Sequence, residues 1–346
     1  MSRLTLLLPA FTALLVAAGF WSLASVAPAD LTRQAAALGV ALAVCAGVLR
    51  LGSARLASWR WPLYGAALAL LVVVQAFGTV VNGAQSWLRL GPLSGQPSEL
   101  VKLAVIVALA GVLARPGSGY LLPLALVGVP VGLVLLEPDL GSALVILAVG
   151  AGMLLLRGVP RAHLLLAFSL AAVAVPFVWP NLEPHQRARL VSFMQPDADP
   201  LGSGYQVIQA RVAAGSGGLW GQGHGAGSQT QNGFIPYPAT DFIFPVIAEE
   251  GGYLAALALL FAYGGLFVTL ALMAGRCPRP HDQFVVSGVL LLVGVQTLLN
   301  LAMTLGLAPV TGITLPLVSY GGSSLLVTLG ALAVALTTYC GRYREL

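Results

Sequence analysis

The sequence predicts an all-α, polytopic integral membrane protein with ten transmembrane helices. Three observations lead there. Hydrophobic residues make up 58% of the 346 and charged residues only 8%, against about 25% charged in an ordinary soluble domain. Apolar runs long enough to span a bilayer, roughly 20 residues each, recur along the whole chain. Once those runs are drawn as spans, the basic residues sort to one side.

The runs fall at 5–27, 34–50, 62–81, 98–114, 120–136, 140–156, 162–179, 242–273, 283–305 and 316–340, each read as a helix. The first ends in "LASVAPAD", which mimics a cleavage site, but it is too long for a signal-peptide core and many spans follow it. Between the fifth and sixth runs stands "LLEPDLGS". Pro138 cannot continue a helix, and Glu137 and Asp139 are costly in lipid, so this is a tight turn at a membrane face. Residues 181–241, between the seventh and eighth spans, form one large polar loop. The whole is a single transmembrane domain, 1–346, with that extracytoplasmic loop inside it.

Placing both termini in the cytoplasm puts Arg3, Arg50, Arg55, Arg60, Arg115, Arg157, Arg161, Arg276, Arg279, Arg342 and Arg344 inside, eleven of the seventeen basic residues. Outside fall Arg33, Arg89, Lys102 and, in the long loop, Arg187, Arg189 and Arg211. Short loops dominate the positive-inside rule, so this orientation holds. The acids show the opposite bias: ten of twelve lie on or near the outer side, with only Asp282 and Glu345 inside. Acids hardly influence insertion. Either an outward-facing polar site or simply longer outer loops accounts for them.

The net charge of +5 shows no nucleic-acid patch. Cys45, Cys277 and Cys340 are scattered, without the spacing of a zinc site or a disulfide framework. The loop contains "GSGGLWGQGHGAG". It lacks a GK[ST] and a preceding strand, so it is not a nucleotide-binding loop. A flexible linker and a functional loop both remain open.

Chemistry concentrates in a few stretches. In "YPATDFIFPVIAEEGG" (237–252), Thr240 and Asp241 are N-cap types and Pro245 suits a first helical turn. The eighth span therefore starts near Asp241, with Asp241, Pro245 and Glu249 on one face. A plain cap explains Asp241 as well as a functional role does. It does not explain Glu249 and Glu250, two turns deeper, where a carboxylate faces a cavity or a partner. In "SGQPSELVK" (94–102), Glu99 and Lys102 stand at i,i+3, close enough to pair, as structural glue or as part of a pocket. Asp139, "TGITLPLVSYGGSS" (311–324, with Ser319 and Tyr320) and the amphipathic "NGAQSWLRLGP" (82–92) lie at the same level. This convergence fits an enzyme acting on a lipid-anchored, phosphate-bearing substrate, or a transporter with buried carboxylates. The absence of an internal repeat, and acids gathered at one face, favour the enzyme.

These stretches, with "RARLVSFMQPDADPLGSGYQVIQ" and "GSGGLWGQGHGAGSQTQ", run in order along nearly the whole chain. The chain thereby resembles the SEDS family (shape, elongation, division and sporulation), the RodA and FtsW proteins, and most resembles its RodA branch. The resemblance implies a peptidoglycan glycosyltransferase that polymerises lipid II at the outer face of the cytoplasmic membrane. It makes Asp241 the catalytic residue and candidate general base. It places Glu99, Lys102 and Asp139 in a central cavity, Arg187 and Arg189 in the loop, and Thr240, Glu249, Glu250, Ser319 and Tyr320 in the family's motifs. It implies a divalent cation, Mg²⁺ or Mn²⁺, with unknown ligands, and no organic cofactor. The implied partners are a class B penicillin-binding protein, other membrane proteins of the elongation complex and membrane lipid. Lipid II flipping, or the division-type polymerase, is the alternative. Three positions depart from the family pattern: Ala239 where histidine is common, Gln222 for lysine and Gly251 for leucine.

Overall fold

The structure, a computed structural model, describes residues 3–81, 84–90, 93–117, 119–160 and 203–341, with the single positions Ala162, Ser169, Arg187 and Phe193. The expected seventh span, 162–179, otherwise lies outside the described residues. Twelve helices are described: α1 (Leu4–Val26), α2 (Leu31–Leu51), α3 (Ser53–Ser58), α4 (Arg60–Phe77), α5 (Pro97–Leu113), α6 (Leu121–Leu136), α7 (Leu140–Leu156), α8 (Ser203–Ser216), α9 (Ser228–Gln231), α10 (Ile243–Gly275), α11 (Pro280–Thr304) and α12 (Gly322–Gly341). Six helical stretches, containing α1, α2, α4, α10, α11 and α12, are long and apolar enough to cross a membrane, while α6 and α7 are apolar but shorter. This is a polytopic, mainly helical membrane fold.

The hydrophobic pattern decides who faces whom. Every residue of α5 except Leu100 is buried, and α4, α6, α7, α11 and α12 pack around it. A helix buried on all sides needs no polar face. Large apolar side chains such as Leu14, Val40, Val72, Phe261 and Val268 point out of the bundle, the orientation lipid requires.

Three boundaries differ from the sequence reading. The third span stops at Phe77, and Gly78 leads into a three-stranded antiparallel meander of β1 (Thr79–Val81), β2 (Ala84–Leu90) and β3 (Leu93–Gly95). Its register pairs Thr79 with Trp87 and Arg89 with Ser94. The amphipathic 82–92 stretch is thus mostly strand, an addition to the all-α expectation. The tenth span begins at Gly322, because Leu317 takes a positive φ of 71° and the preceding residues are irregular. The eighth begins at Ile243, with Phe242 as its N-cap; Asp241 precedes the helix and does not share its face with Glu249.

The eighth span hides a larger surprise. At 33 residues a straight α10 would be about 50 Å long, far more than a bilayer core. It is broken at Gly252, whose φ of 72° and ψ of −173° are not helical. The break frees backbone groups that need new hydrogen-bond partners. The glycine-rich stretch supplies their partners. The N–H groups of Gln222 and Gly223 donate to the carbonyls of Glu249 (2.9 Å) and Glu250 (3.0 Å), and those of Tyr253 and Leu254 donate to Gly218 (2.9 Å) and Leu219 (3.3 Å). Contact this close leaves no room for side chains. A Cβ on Gly221 would lie 2.1 Å from the Glu250 carbonyl, and one on Gly252 would lie 2.2 Å from the Gly221 nitrogen. From Ser203 onward the loop therefore seats a plug against α10: Ala210 and Ala213 of α8 are fully buried with Phe242 and Val246, while Leu219 and Trp220 stay exposed on its outer side.

Gly252→Ala or Gly221→Ala should each destabilise the protein by at least about 1–3 kcal/mol from backbone strain alone. Gly264→Ala, which meets nothing within 4 Å, should not. Thermal unfolding in detergent reads the difference.

Candidate active site

The site is assembled at one end of the bundle, where α5 and α7 begin, α11 ends and α10 enters. Glu99, in the first turn of α5, accepts from Lys102 Nζ at 2.7 Å, and both side chains are buried. Asp139 caps α7, its Oδ1 accepting from the Ser142 N–H at 3.0 Å. Its Oδ2 accepts from Gln96 Nε2 at 2.8 Å and Ser98 Oγ at 3.4 Å, which ties the starts of α7 and α5 together. Gly141 then abuts the irregular 311–313 segment: a Cβ there would lie 2.6 Å from the Thr311 carbonyl. Gly312, of positive φ, faces Asp241, whose Oδ2 lies 3.7 Å from where its Cβ would be.

Asp241 stands on a backbone held at three consecutive carbonyls. Tyr320 N–H donates to the Ala239 carbonyl at 2.8 Å. Ser319 Oγ donates to Thr240, and Asn300 Nδ2 donates to Asp241 at 2.9 Å. The same Asn300 Nδ2 reaches the Ile313 carbonyl at 2.7 Å, so one fully buried amide ties the Asp241 backbone to the irregular 311–313 segment. The 311–321 segment is held in turn by Tyr263 OH on the Pro316 carbonyl, Ser319 Oγ accepting from Leu315 N–H at 2.8 Å, and Gln34 on Ser319 and Gly321. Irregular backbone inside a helical bundle survives only when so satisfied. Asn300, Gln34 and Tyr263 were not singled out from the sequence. Their partners lie far away along the chain, and no local signal marks them.

The two glutamates of α10 face elsewhere. Glu249 turns into the glycine-rich plug: Oε1 accepts from Gln229 N–H at 2.7 Å, and Oε2 from Thr230 N–H at 3.0 Å and Thr230 Oγ1 at 2.6 Å. Glu250 accepts from Ser25 of α1 and from Gln231 Nε2 at 3.2 Å. His224 lies 3.6 Å from its other oxygen and tilts against the Trp21 ring. The departures from the family pattern have local reasons. Gly251 lies against Trp21, and Gln222 bridges Ser216 and Ser228. Tyr320 is half-buried, close to the Arg33–Asp30 pair, which meets at 3.0 Å. Arg187 is partly buried; Arg189 lies outside the described residues.

Glu137, in the turn before Asp139, is 1% exposed. Among the described residues neither of its carboxyl oxygens has a hydrogen-bond partner. Burial first, and the Asp139 charge second, push it up from 4.5 to about 8, so near neutral pH it is mostly protonated. For a divalent cation, no three His, Cys, Asp or Glu side chains converge among the described residues, and those of Glu99 and Asp139 already have partners. The described residues thus do not fit an all-protein cage, although Mg²⁺ commonly binds by one or two carboxylates together with substrate phosphates.

Comparison with known proteins follows the same line. The model of the FtsW, RodA and SpoVE family, described as cell cycle proteins, matches residues 4–339. The chain is 38% identical over 290 residues to the peptidoglycan glycosyltransferase MrdB of Escherichia coli K12, covering 82% of this chain and 78% of that one. Its structure is similar to a chain of a peptidoglycan synthase complex that coordinates polymerization and crosslinking, with a TM-score of 0.85, 43% identity and coverage of 97% and 98%. It is also similar to the rod shape determining protein RodA of Thermus thermophilus, with a TM-score of 0.75, 37% identity and coverage of 97% and 96%.

The raised Glu137 carboxyl gives stability a defined pH dependence. Folding favours its protonated form, a contribution fully present below pH 4.5 and lost as pH rises through about 8. The slope in that window is at most about 1.4 kcal/mol per pH unit. Glu137→Gln should flatten the curve and raise the unfolding temperature at pH 8 relative to the parent, as followed by thermal unfolding across pH 5–9.

Proposed function

The chain belongs to the FtsW/RodA/SpoVE family of cell cycle proteins, and on that premise we propose that it is a peptidoglycan glycosyltransferase polymerising lipid II during cell elongation. The observation that carries the reading is the clamped Asp241. A general base must be held within reach of the proton it takes, and three successive carbonyls fix this residue beside Gly312.

The sugar 4-hydroxyl of one lipid II attacks the anomeric carbon of another. As the new C–O bond forms, Asp241 accepts the hydroxyl proton and the bond to the lipid pyrophosphate breaks on the opposite face. The linkage inverts from α to β in one displacement, which needs one base and not the nucleophile–acid pair of a retaining enzyme. The leaving charge requires cations. Lys102, beside Glu99, and the loop residues Arg187 and Arg189 are the basic groups we assign to it. Asp139 joins the starts of α5 and α7 at the cavity wall. Thr240, Ser319 and Tyr320 set the backbone, and Glu249 and Glu250 hold the plug against α10. A divalent cation, Mg²⁺ or Mn²⁺, would arrive with the pyrophosphate.

The positive-inside distribution supports ten spans with both termini cytoplasmic and the site facing out. The described helix ends support the count. Arg157, after α7, reaches the Arg115 carbonyl just beyond α5, at the end opposite Asp241. Reaching Ile243 from there takes an odd number of crossings, and 162–179 is the apolar run available. The similar synthase complex supports a crosslinking partner, a class B penicillin-binding protein. The similar rod shape determining structure favours elongation over division.

Lipid II flipping has one observation in its favour, because broken helices are a feature of transporters. Here the backbone groups at the break are occupied by the glycine-rich plug, which leaves them no substrate to coordinate.

Purified protein with its penicillin-binding partner, given labelled lipid II, should form glycan ladders. Asp241→Asn should reduce them by at least about 100-fold while the protein stays folded; equal ladders would move the base elsewhere. Asn300→Leu should lower kcat by about tenfold or more with KM little changed, since it loosens Asp241 without touching substrate. A matched loss in KM would instead make Asn300 part of the binding wall.

A further inference from the structure

At the end of the bundle opposite Asp241 lies a cavity of about 300 Å³, which the proposed reaction does not use. Ser53, Ala57, Arg60, Gly111, Arg279 and His281 line it, together with Asp282. Along α11, His281 and Asn300 are 19 residues apart, about 28 Å at helical rise. The cavity and the clamped aspartate therefore belong to opposite membrane faces.

We propose that this cavity binds a phosphate group, carried by an anionic phospholipid headgroup. Its lining brings the guanidiniums of Arg60 and Arg279 together with one carboxylate and one imidazole. Arginines at this face satisfy the positive-inside rule, but that rule does not require two of them, from different helices, to converge on one cavity. Gly111 is what seats the first: a Cβ there would lie 2.8 Å from Arg60 Cδ. Among the described residues, Arg60 Nε and His281 Nε2 are buried without a hydrogen-bond partner. Arg60 Nε donates to phosphate oxygens, and His281 Nε2 does so in the imidazolium form, whose Nδ1–H faces Asp282. Asp282 sits in the first turn of α11, 3.2 Å from His281 Nδ1, where the helix dipole also favours it.

The depth of the cavity points to lipid. Trp59 and Trp61, both exposed, flank Arg60, and the Arg60 guanidinium lies 5.9 Å from the Trp61 ring. Exposed tryptophans mark the headgroup level of a bilayer, and basic pockets between helices at that level suit phospholipid headgroups. A cavity near 300 Å³ is at the small end of ligand sites, adequate for a phosphate and its glycerol.

The test uses the full chain purified in detergent, titrated separately with phosphatidylglycerol, phosphatidylcholine and inorganic phosphate. Bound adducts are counted by native mass spectrometry. Phosphatidylglycerol should bind at least five-fold more tightly than phosphatidylcholine. Arg60→Gln/Arg279→Gln should abolish that preference, and Arg60→Lys/Arg279→Lys should keep most of it. Ala57→Phe, which fills the cavity with its charges intact, should also lose the lipid, and it serves if the double variant fails to fold. If inorganic phosphate displaces phosphatidylglycerol at millimolar concentration, the phosphate site stands with a soluble source. Unchanged phosphatidylglycerol retention in both Arg60→Gln/Arg279→Gln and Ala57→Phe overturns it.

Discussion

The break in α10 at Gly252, and the glycine-rich plug that fills it, is the constraint from which the rest of the architecture follows. A chain that interrupts a packed helix must find partners for the backbone groups it frees. Here the partners are main-chain groups of residues 218–223, which is why glycines stand on both sides of the contact. The break lets a short first segment of α10 end beside the plug while the second segment continues across the membrane. Asp241 is delivered to the mouth of that short segment, not to the start of a long continuous helix.

A second layer of polar satisfaction rests on the first. The irregular 311–321 segment runs through the bundle beside Asp241, and its carbonyls are met by Asn300, Tyr263 and Gln34 from three different helices. Each of those side chains is itself buried. The donors they present are spent on these carbonyls and fix their geometry, while Asn300 Oδ1 is itself buried without a partner among the described residues. The backbone around Asp241 therefore owes its shape to hydrogen bonds from side chains distant in sequence.

Much of this was legible in the sequence, for physical reasons. Hydropathy located nine of the described helices because bilayer burial is a matter of composition over twenty residues. The Glu99–Lys102 pair followed from i,i+3 spacing, and Asp139 from a turn that no helix could continue. The plug was not legible. Its glycines read equally as linker, since the pairing that explains them joins residues about thirty apart. The break left a mark that went unread: an apolar run of 32 residues is too long for one span, and Gly251–Gly252 lies within it. Asn300 left no mark, because an asparagine in an apolar helix looks the same whether it clamps a distant carbonyl or faces a water. Glu249 and Glu250 drew notice by their charge, yet what they bind lies in a loop whose structure hydropathy does not describe.

The order of plug and break along the chain bears on how the protein is made. Residues 217–223 precede Gly252, so the plug has left the ribosome before its socket exists. At ordinary translation rates of about 5–20 residues per second, the interval is roughly 2–6 seconds. The groups that complete the interrupted segment are therefore made before it. Reversing that order would leave the freed amides and carbonyls waiting for a partner segment not yet made. The linear arrangement of the two elements thus guards the nascent chain as well as the finished one.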